Sequence, residues 1–453
     1  MARLSGFPEL LPTGRMVEQH VLDHLRRVFE LHGFASIETR AVEPVAELLR
    51  KGEIDKEVYG VRRLAADPDA PASGDDLALH FDLTVPFARY VVENANDLVF
   101  PFRRYQVQKV WRGERPQQGR FREFTQADID IVGRDTLGAH HDVEVARVMA
   151  EALAGLPIPP VTLLVNNRRL LEGFYLGLGA ADPSAVMRQV DKLDKLPREK
   201  VGELLRTEAG LDADQAERCL ALAEISGATV ADRVRALGVE HELLEQGLTE
   251  LEQVLAGTAG VEGVSVVADL RIARGLDYYT GTVFETRMEG HEELGSICSG
   301  GRYDELARDN RSTYPGVGIS LGVSRLLVPL VADGLVADRA VPSAVLVALA
   351  DEAARPAADA VAQALRSRGV ATEVAHKAAR FGQQIKQAEK RGVPFVWFPE
   401  TQDAGHQVRD IRSGDQSDAD PATWTPPADD LRPRIVTPHH LTPHHPDTEE
   451  STP

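Results

Sequence analysis

Residues 109–133, KVWRGERPQQGRFREFTQADIDIVG, bring cations, an aromatic ring and carboxylates together in one short stretch. The pattern reads as two strands joined by a loop of Arg, Gly, Gln and Pro, too long for a two-residue hairpin. Side chains alternate faces along a strand. Gln106, Gln108 and Arg112 therefore share one face of the first strand, and Arg122, Phe124, Gln126, Asp128 and Asp130 share one face of the second. Ala127, Ile129 and Ile131 point the other way and read as core. A guanidinium fork grips two phosphate oxygens at once, and carboxylates suit an ammonium. A sheet face offering both is what amino-acid activation by ATP needs.

Other residues gain or lose meaning by where the fold puts them. Gln126 and Asp130 are separated by about 13 Å along their strand, a span that a small substrate partly covers. Asp82, in HFDLT at a strand end, would join them if the fold brings it close; otherwise it is a helix N-cap or a surface carboxylate. The alternative is that the same strand face is polar and solvent-facing, which the arginines beside it disfavour. In RIARGLDYYTGTVFE (271–285), Arg274 and Asp277 flank Gly275, where backbone can approach a ligand. Tyr278 and Tyr279 can stack or donate hydrogen bonds, or simply fill core. SGGRY (299–303) sets two glycines, as in a plain turn, before Arg302 and Tyr303.

GVGISLGVSRLL (316–327) does not have the G-x-G-x-x-G spacing of a dinucleotide loop, and no G-K-[ST] occurs in the chain. Any ATP site must use another scaffold. Arg325 could stack on a base or be a solvated helix cation. Arg366, Arg368, His376, Lys377, Arg380, Lys386, Lys390 and Arg391 gather against only Glu373 and Glu389, which is either a nucleic-acid footprint or a solvated helix face. His439, His440, His444 and His445 read as low complexity rather than as metal ligands.

The elements that must position these residues follow from periodicity. Apolar spacing predicts a helix over 15–32, stopped at Gly33, then a strand over 34–44. Residues 77–92 read as a strand running into a helix near Pro86. Strands at 102–112 and 122–132, a helix at 138–154 and a buried strand at 161–166 come next. An acid-rich helical insertion covers about 167–260, and strands resume at 263–268 and 281–287. Residues 316–331 read as strand, glycine turn and helix, closing a first domain of residues 1–331. Residues 342–417 alternate strand and helix, the pattern of a small parallel α/β domain. Residues 418–453 are rich in Asp, Pro, Thr and His and are expected to be a disordered tail.

A chain of 453 residues, 43% hydrophobic and 27% charged, suits a multi-domain globular protein. No apolar run approaches a membrane span, and the N-terminus lacks a secretory-type stretch. Cys219 and Cys298 are isolated and match no metal spacing, so a reducing cytoplasm and no resident metal are expected. A net charge of −19 excludes a protein that coats nucleic acid indiscriminately, but not a local basic surface.

Together these segments resemble the histidyl-tRNA synthetases, a family of class II aminoacyl-tRNA synthetases. RGERPQQGRFREFTQ resembles class II motif 2 and GVGISLGVSRLL motif 3, while RGLDYYTGTVFE and SGGRYDEL resemble the two histidine-specific signatures. The resemblance implies an α+β fold: an antiparallel sheet flanked by helices, the helical insertion, and a C-terminal α/β anticodon-binding domain. It implies activation of histidine with ATP, with Mg²⁺ carried by the nucleotide, then transfer to tRNA(His) by a cytoplasmic homodimer. Arg112 and Arg274 would be catalytic, contacting the α-phosphate. Glu114 would meet the adenine amino group, Phe124 and Arg325 would sandwich adenine, and Arg120 would reach the outer phosphates. Asp82, Gln126 and Asp130 would hold the histidine ammonium, Arg274 the carboxylate, and Tyr279 and Tyr303, with Tyr278 beside them, the imidazole. The chain departs from the family pattern at Arg40, where motif 1 usually has Pro, at Ser324, where Glu usually precedes Arg325, and at Asp82, where many bacterial relatives have Glu. The main rival is a non-catalytic regulatory subunit of ATP phosphoribosyltransferase. It typically lacks the C-terminal domain and has eroded signature residues.

Overall fold

A computed structural model describes residues 4–49, 58–64, 76–272, 279–400 and 405–438. Two compact units divide the chain, one carrying Val21–Pro329 and the other Leu330–Thr442 with Glu9–His20.

The first unit is built on one sheet. Its strands in chain order are β1 (Ala35–Ser36), β2 (Phe102–Trp111), β3 (Glu123–Val132), β4 (Val161–Asn167), β5 (Val264–Ala268), β6 (Thr282–Met288), β7 (Cys298–Tyr303) and β8 (Gly316–Gly322). Their order across the sheet is β1-β2-β3-β8-β7-β6-β4-β5. Only the outermost pairs, β1 with β2 and β4 with β5, run parallel. The rest is antiparallel, so β3 and β8, distant in sequence, lie side by side at its centre. The class is α+β, as expected.

The long alternating strands appear where the spacing puts them, because their inward apolar sets, such as Ala127, Ile129 and Ile131, are fully buried. The strand expected over 34–44 instead splits into β1 and Val42–Pro44, which pairs with Leu77–Leu79 in a separate small sheet. Between them, Thr39 is held by side chains rather than by a ladder. Gln106 Nε2 donates to its hydroxyl at 2.9 Å and Gln108 Nε2 to its carbonyl at 2.8 Å. SGGRY is a strand, not a turn. A Cβ on Gly300 would lie 2.1 Å from the Gly318 carbonyl oxygen, so β7 and β8 approach as only glycine permits.

The insertion holds helices from Arg168–Gly177 to Glu242–Thr258. Asn167 caps the first of them by accepting from the Arg169 and Leu170 amides. The helix Thr84–Glu93 starts two residues after Asp82, and Val323–Ala332 follows β8 without a break.

In the second unit, Val345–Val347 lies between Thr372–Val374 and Phe395–Phe398, parallel to both. The helices Arg355–Ser367 and Phe381–Arg391 are the crossovers. Residues 418–438, expected as disordered tail, are ordered here. Trp424 packs edge-on against buried Trp397, with ring centroids 5.6 Å apart. Arg368 donates to the carbonyls of Pro421, Thr423 and Trp424. One anchoring tryptophan amid polar residues leaves no periodicity to read. His439, His440, His444 and His445 lie outside the described residues.

Candidate active site

Motif side chains line an open cleft over the centre of the sheet. Arg112, Glu114, Arg120, Phe124 and Arg325, the whole expected nucleotide set, are on its walls, with Gln126 beside them. The β2–β3 loop brings the first three and β3 brings Phe124 and Gln126; Arg325 comes from the helix after β8.

These cations are held before any ligand arrives. Arg112 Nε donates to the Phe81 carbonyl at 3.1 Å, with its guanidinium 5.1 Å from the centre of the Phe124 ring. Arg325 donates to the carbonyls of Gly119 at 3.0 Å and Ser296 at 2.7 Å. Arg120 lies 3.5 Å from the Glu114 carboxylate. Burial pushes the Arg325 pKa down, and the charges of Arg120 and Arg112 push it further. Three guanidiniums crowded into one cleft repel each other, and an anion entering it relieves that repulsion. Ser324, where the family usually has Glu, is buried and accepts from the Thr125 amide at 2.9 Å.

Below the cleft lies an acidic floor. Asp82, Asp128 and Asp130 are 5%, 2% and 4% exposed, so this strand face is not a solvent-facing surface. Asp130 is gripped from two sides. Arg104 Nη2 lies 2.6 Å from one carboxylate oxygen, and the Tyr303 hydroxyl donates to the other at 2.6 Å. A Cβ on Gly318 would lie 2.0 Å from Asp130 Oδ1, so the glycine makes room for the acid. Asp128 has its pKa pushed up to about 7, chiefly by burial; Arg104 and the Ser320 hydroxyl oppose the shift, while Asp130 and Asp82 add to it. Asp82 thus belongs to the same cluster. It also caps the helix beside it, accepting from the Val85 amide at 3.1 Å, so the structural and site readings hold together.

Tyr279 packs against the group of Leu164, Ile272 and Val283, next to Gly301. Arg274 and Tyr278 lie outside the described residues. Arg302 belongs to the scaffold: it is buried and bonded to Asp142 at 2.7 Å and to the Leu137 and Gly138 carbonyls. Arg104 and Ser320 were missed from sequence. Arg104 shares the strand face of Gln106 and Gln108 and pairs in register with Asp130, so carrying the alternation one step further would have found it. Ser320 sits opposite Asp128, a pairing between strands far apart in sequence that no local pattern reveals.

Comparison with known proteins agrees with this geometry. The family model described as histidyl-tRNA synthetase matches residues 6–326, and that of an anticodon binding domain matches residues 343–421. A histidine–tRNA ligase of Micrococcus luteus is 60% identical over 96% of this chain and 98% of its own length. One from Cutibacterium acnes is 58% identical over 96% and 99%. The crystal structure of histidyl-tRNA synthetase from Nostoc sp. PCC 7120 superposes with a TM-score of 0.81 at 35% identity, covering 92% of this chain and 96% of the other. With the motif arginines gathered in one cleft above buried acids, and the similarity running nearly end to end, the chain belongs to the histidyl-tRNA synthetase family.

Proposed function

We propose that the cleft activates histidine with ATP to histidyl-adenylate and pyrophosphate, and that the enzyme then transfers histidine to the terminal adenosine of tRNA(His). The observation carrying this reading is the meeting of an arginine-rich cleft with an acidic floor, with Gln126 on the boundary.

In this reading Arg112 and Arg274 oppose the charge that develops on the α-phosphate as the histidine carboxylate attacks in line. Glu114 reads the adenine amino group, and Phe124 and Arg325 face its two sides. Arg120 reaches the outer phosphates. Asp82, Gln126 and Asp130 hold the substrate ammonium, Arg274 its carboxylate, and Tyr278, Tyr279 and Tyr303 surround the imidazole. Mg²⁺ carried by the nucleotide would supply charge to balance the departing pyrophosphate, beside Arg120. Holding the reactants in attack geometry does most of the work.

In the second unit, Arg366, Arg368 and Arg391 are bonded within the fold. His376, Lys377, Arg380, Lys386 and Lys390 are exposed and form the face we assign to the tRNA. A cytoplasmic homodimer completes the reading. The intact set of arginines and the C-terminal domain argue against a regulatory subunit. Histidine-dependent exchange of labelled pyrophosphate into ATP, run against all twenty amino acids, tests the proposal. Folded protein that exchanges with none, or with another amino acid instead, overturns it.

A further inference from the structure

Gln126, Ser320 and Asp128 form a directed chain between the cleft and the buried floor. Gln126 Nε2 donates to Ser320 Oγ, and Ser320 Oγ donates to Asp128 Oδ1 at 2.5 Å. The geometry is set by the sheet: Ser320 on β8 pairs in register with Asp128 on β3, and Gln126 follows two residues back on the same face. Gln126 is 6% exposed and Asp128 is 2% exposed.

The direction of this chain follows from which groups have hydrogens. Once Asp128 is ionised, as at pH 8, its carboxylate has none, so the single Ser320 hydroxyl hydrogen goes to Asp128. The Ser320 oxygen can then only accept, so the end of the Gln126 amide that faces it must be the NH₂ group. The opposite end, Oε1, is left buried and with no partner among the described residues, in a residue that lines the cleft. A buried carbonyl oxygen without a donor is costly unless a ligand supplies one.

We infer that Asp128 and Ser320 are positioning residues that lock the Gln126 amide with its oxygen towards the substrate amine. Turned the other way, the amide would offer N–H groups to an ammonium and repel it. The relay thus makes an uncharged side chain selective for a cation. This deepens the histidine-activation reading and rests on it.

Two competitive inhibitors of the exchange reaction separate the relay from general damage. Histidinol keeps the amine and lacks the carboxylate; imidazolylpropionate keeps the carboxylate and lacks the amine. At pH 8, Ser320→Ala is expected to weaken histidinol about tenfold, as for a lost hydrogen bond to a charged group, with imidazolylpropionate and the KM for ATP changed less than about twofold. Ser320→Thr, which restores a hydroxyl, should recover histidinol affinity. Should the alanine variant not fold, Ser320→Gly carries the same expectation. Equal weakening of both inhibitors, or of neither, overturns the relay while leaving the function intact. Failure of wild-type protein to exchange with histidine overturns the function itself.

Discussion

The phenol of Tyr303 and the carboxylate of Asp130 meet at 2.6 Å, although 173 residues separate them in the chain. Their strands, β7 and β3, are not neighbours; both flank β8, whose bare Gly316 and Gly318 let the two side chains close over it. Arg104 grips the same carboxylate, so the acid is already oriented before substrate enters.

Tyr303→Phe removes one of these grips and leaves Arg104 in place. The loss of a hydrogen bond to a buried charge should raise the KM for histidine by about tenfold. The KM for ATP should stay unchanged in the pyrophosphate exchange assay. A matching rise in both would mean that the tyrosine merely supports the fold.

Gly318→Ala puts a methyl where Asp130 Oδ1 now sits, at 2.0 Å. The Ile129 carbonyl, 2.7 Å away on the neighbouring strand, closes the other escape. The acid must swing aside, and displacement of a binding group by an ångström costs about a hundredfold in rate. Exchange activity should fall by that factor in protein whose circular dichroism is native. An active alanine variant would show that the position of Asp130 is not critical.

Asp128 links the site to stability. Its pKa in the folded protein is pushed up to about 7 by burial, against an ordinary value of 3.8. Between those values the folded state keeps a proton that the unfolded chain releases. Stability contributed here is therefore lost as pH rises from about 4 to 7, by at most about 1.4 kcal/mol per pH unit. Asp128→Asn cannot titrate. Its melting temperature should exceed that of the wild type at pH 8, with the gap narrowing by pH 5. Calorimetry at both pH values checks this, and a constant gap would refute it.

Arg274→Ala tests the assignment that rests on resemblance alone. Losing one charge partner of the reacting phosphate should slow adenylate formation by about a hundred- to a thousandfold. Histidine should still bind, as measured by equilibrium dialysis. An unchanged exchange rate would remove Arg274 from the mechanism.

The nucleotide side of the site was legible because its residues sit close together in sequence. Arg112, Glu114, Arg120 and Phe124 belong to one strand–loop–strand; alternation places Arg112 and Phe124 on strand faces, and the motif resemblance supplies the loop residues Glu114 and Arg120. The acidic floor was half legible. Gln126, Asp128 and Asp130 were read on one face, but not that the face is buried, because Tyr303 and Ser320 come from strands far along the chain. Asp82 could not be decided from sequence, since one carboxylate can cap a helix and belong to the cluster together. Ordering of residues 418–438 escaped notice because it depends on Trp424 meeting Trp397, a contact with no periodic signature.

Where Gly316 and Gly318 stand, beneath Tyr303 and Asp130, the inner wall of the site is naked main chain. Evolution usually retunes a recognition pocket by trimming or enlarging the side chains that shape it. Here there is nothing to trim, and every enlargement meets Asp130, Tyr303 or a carbonyl. Drift towards a rival amino acid is closed from that side, so any change of allegiance would have to begin on β3 or in the helix-capping turn at Asp82.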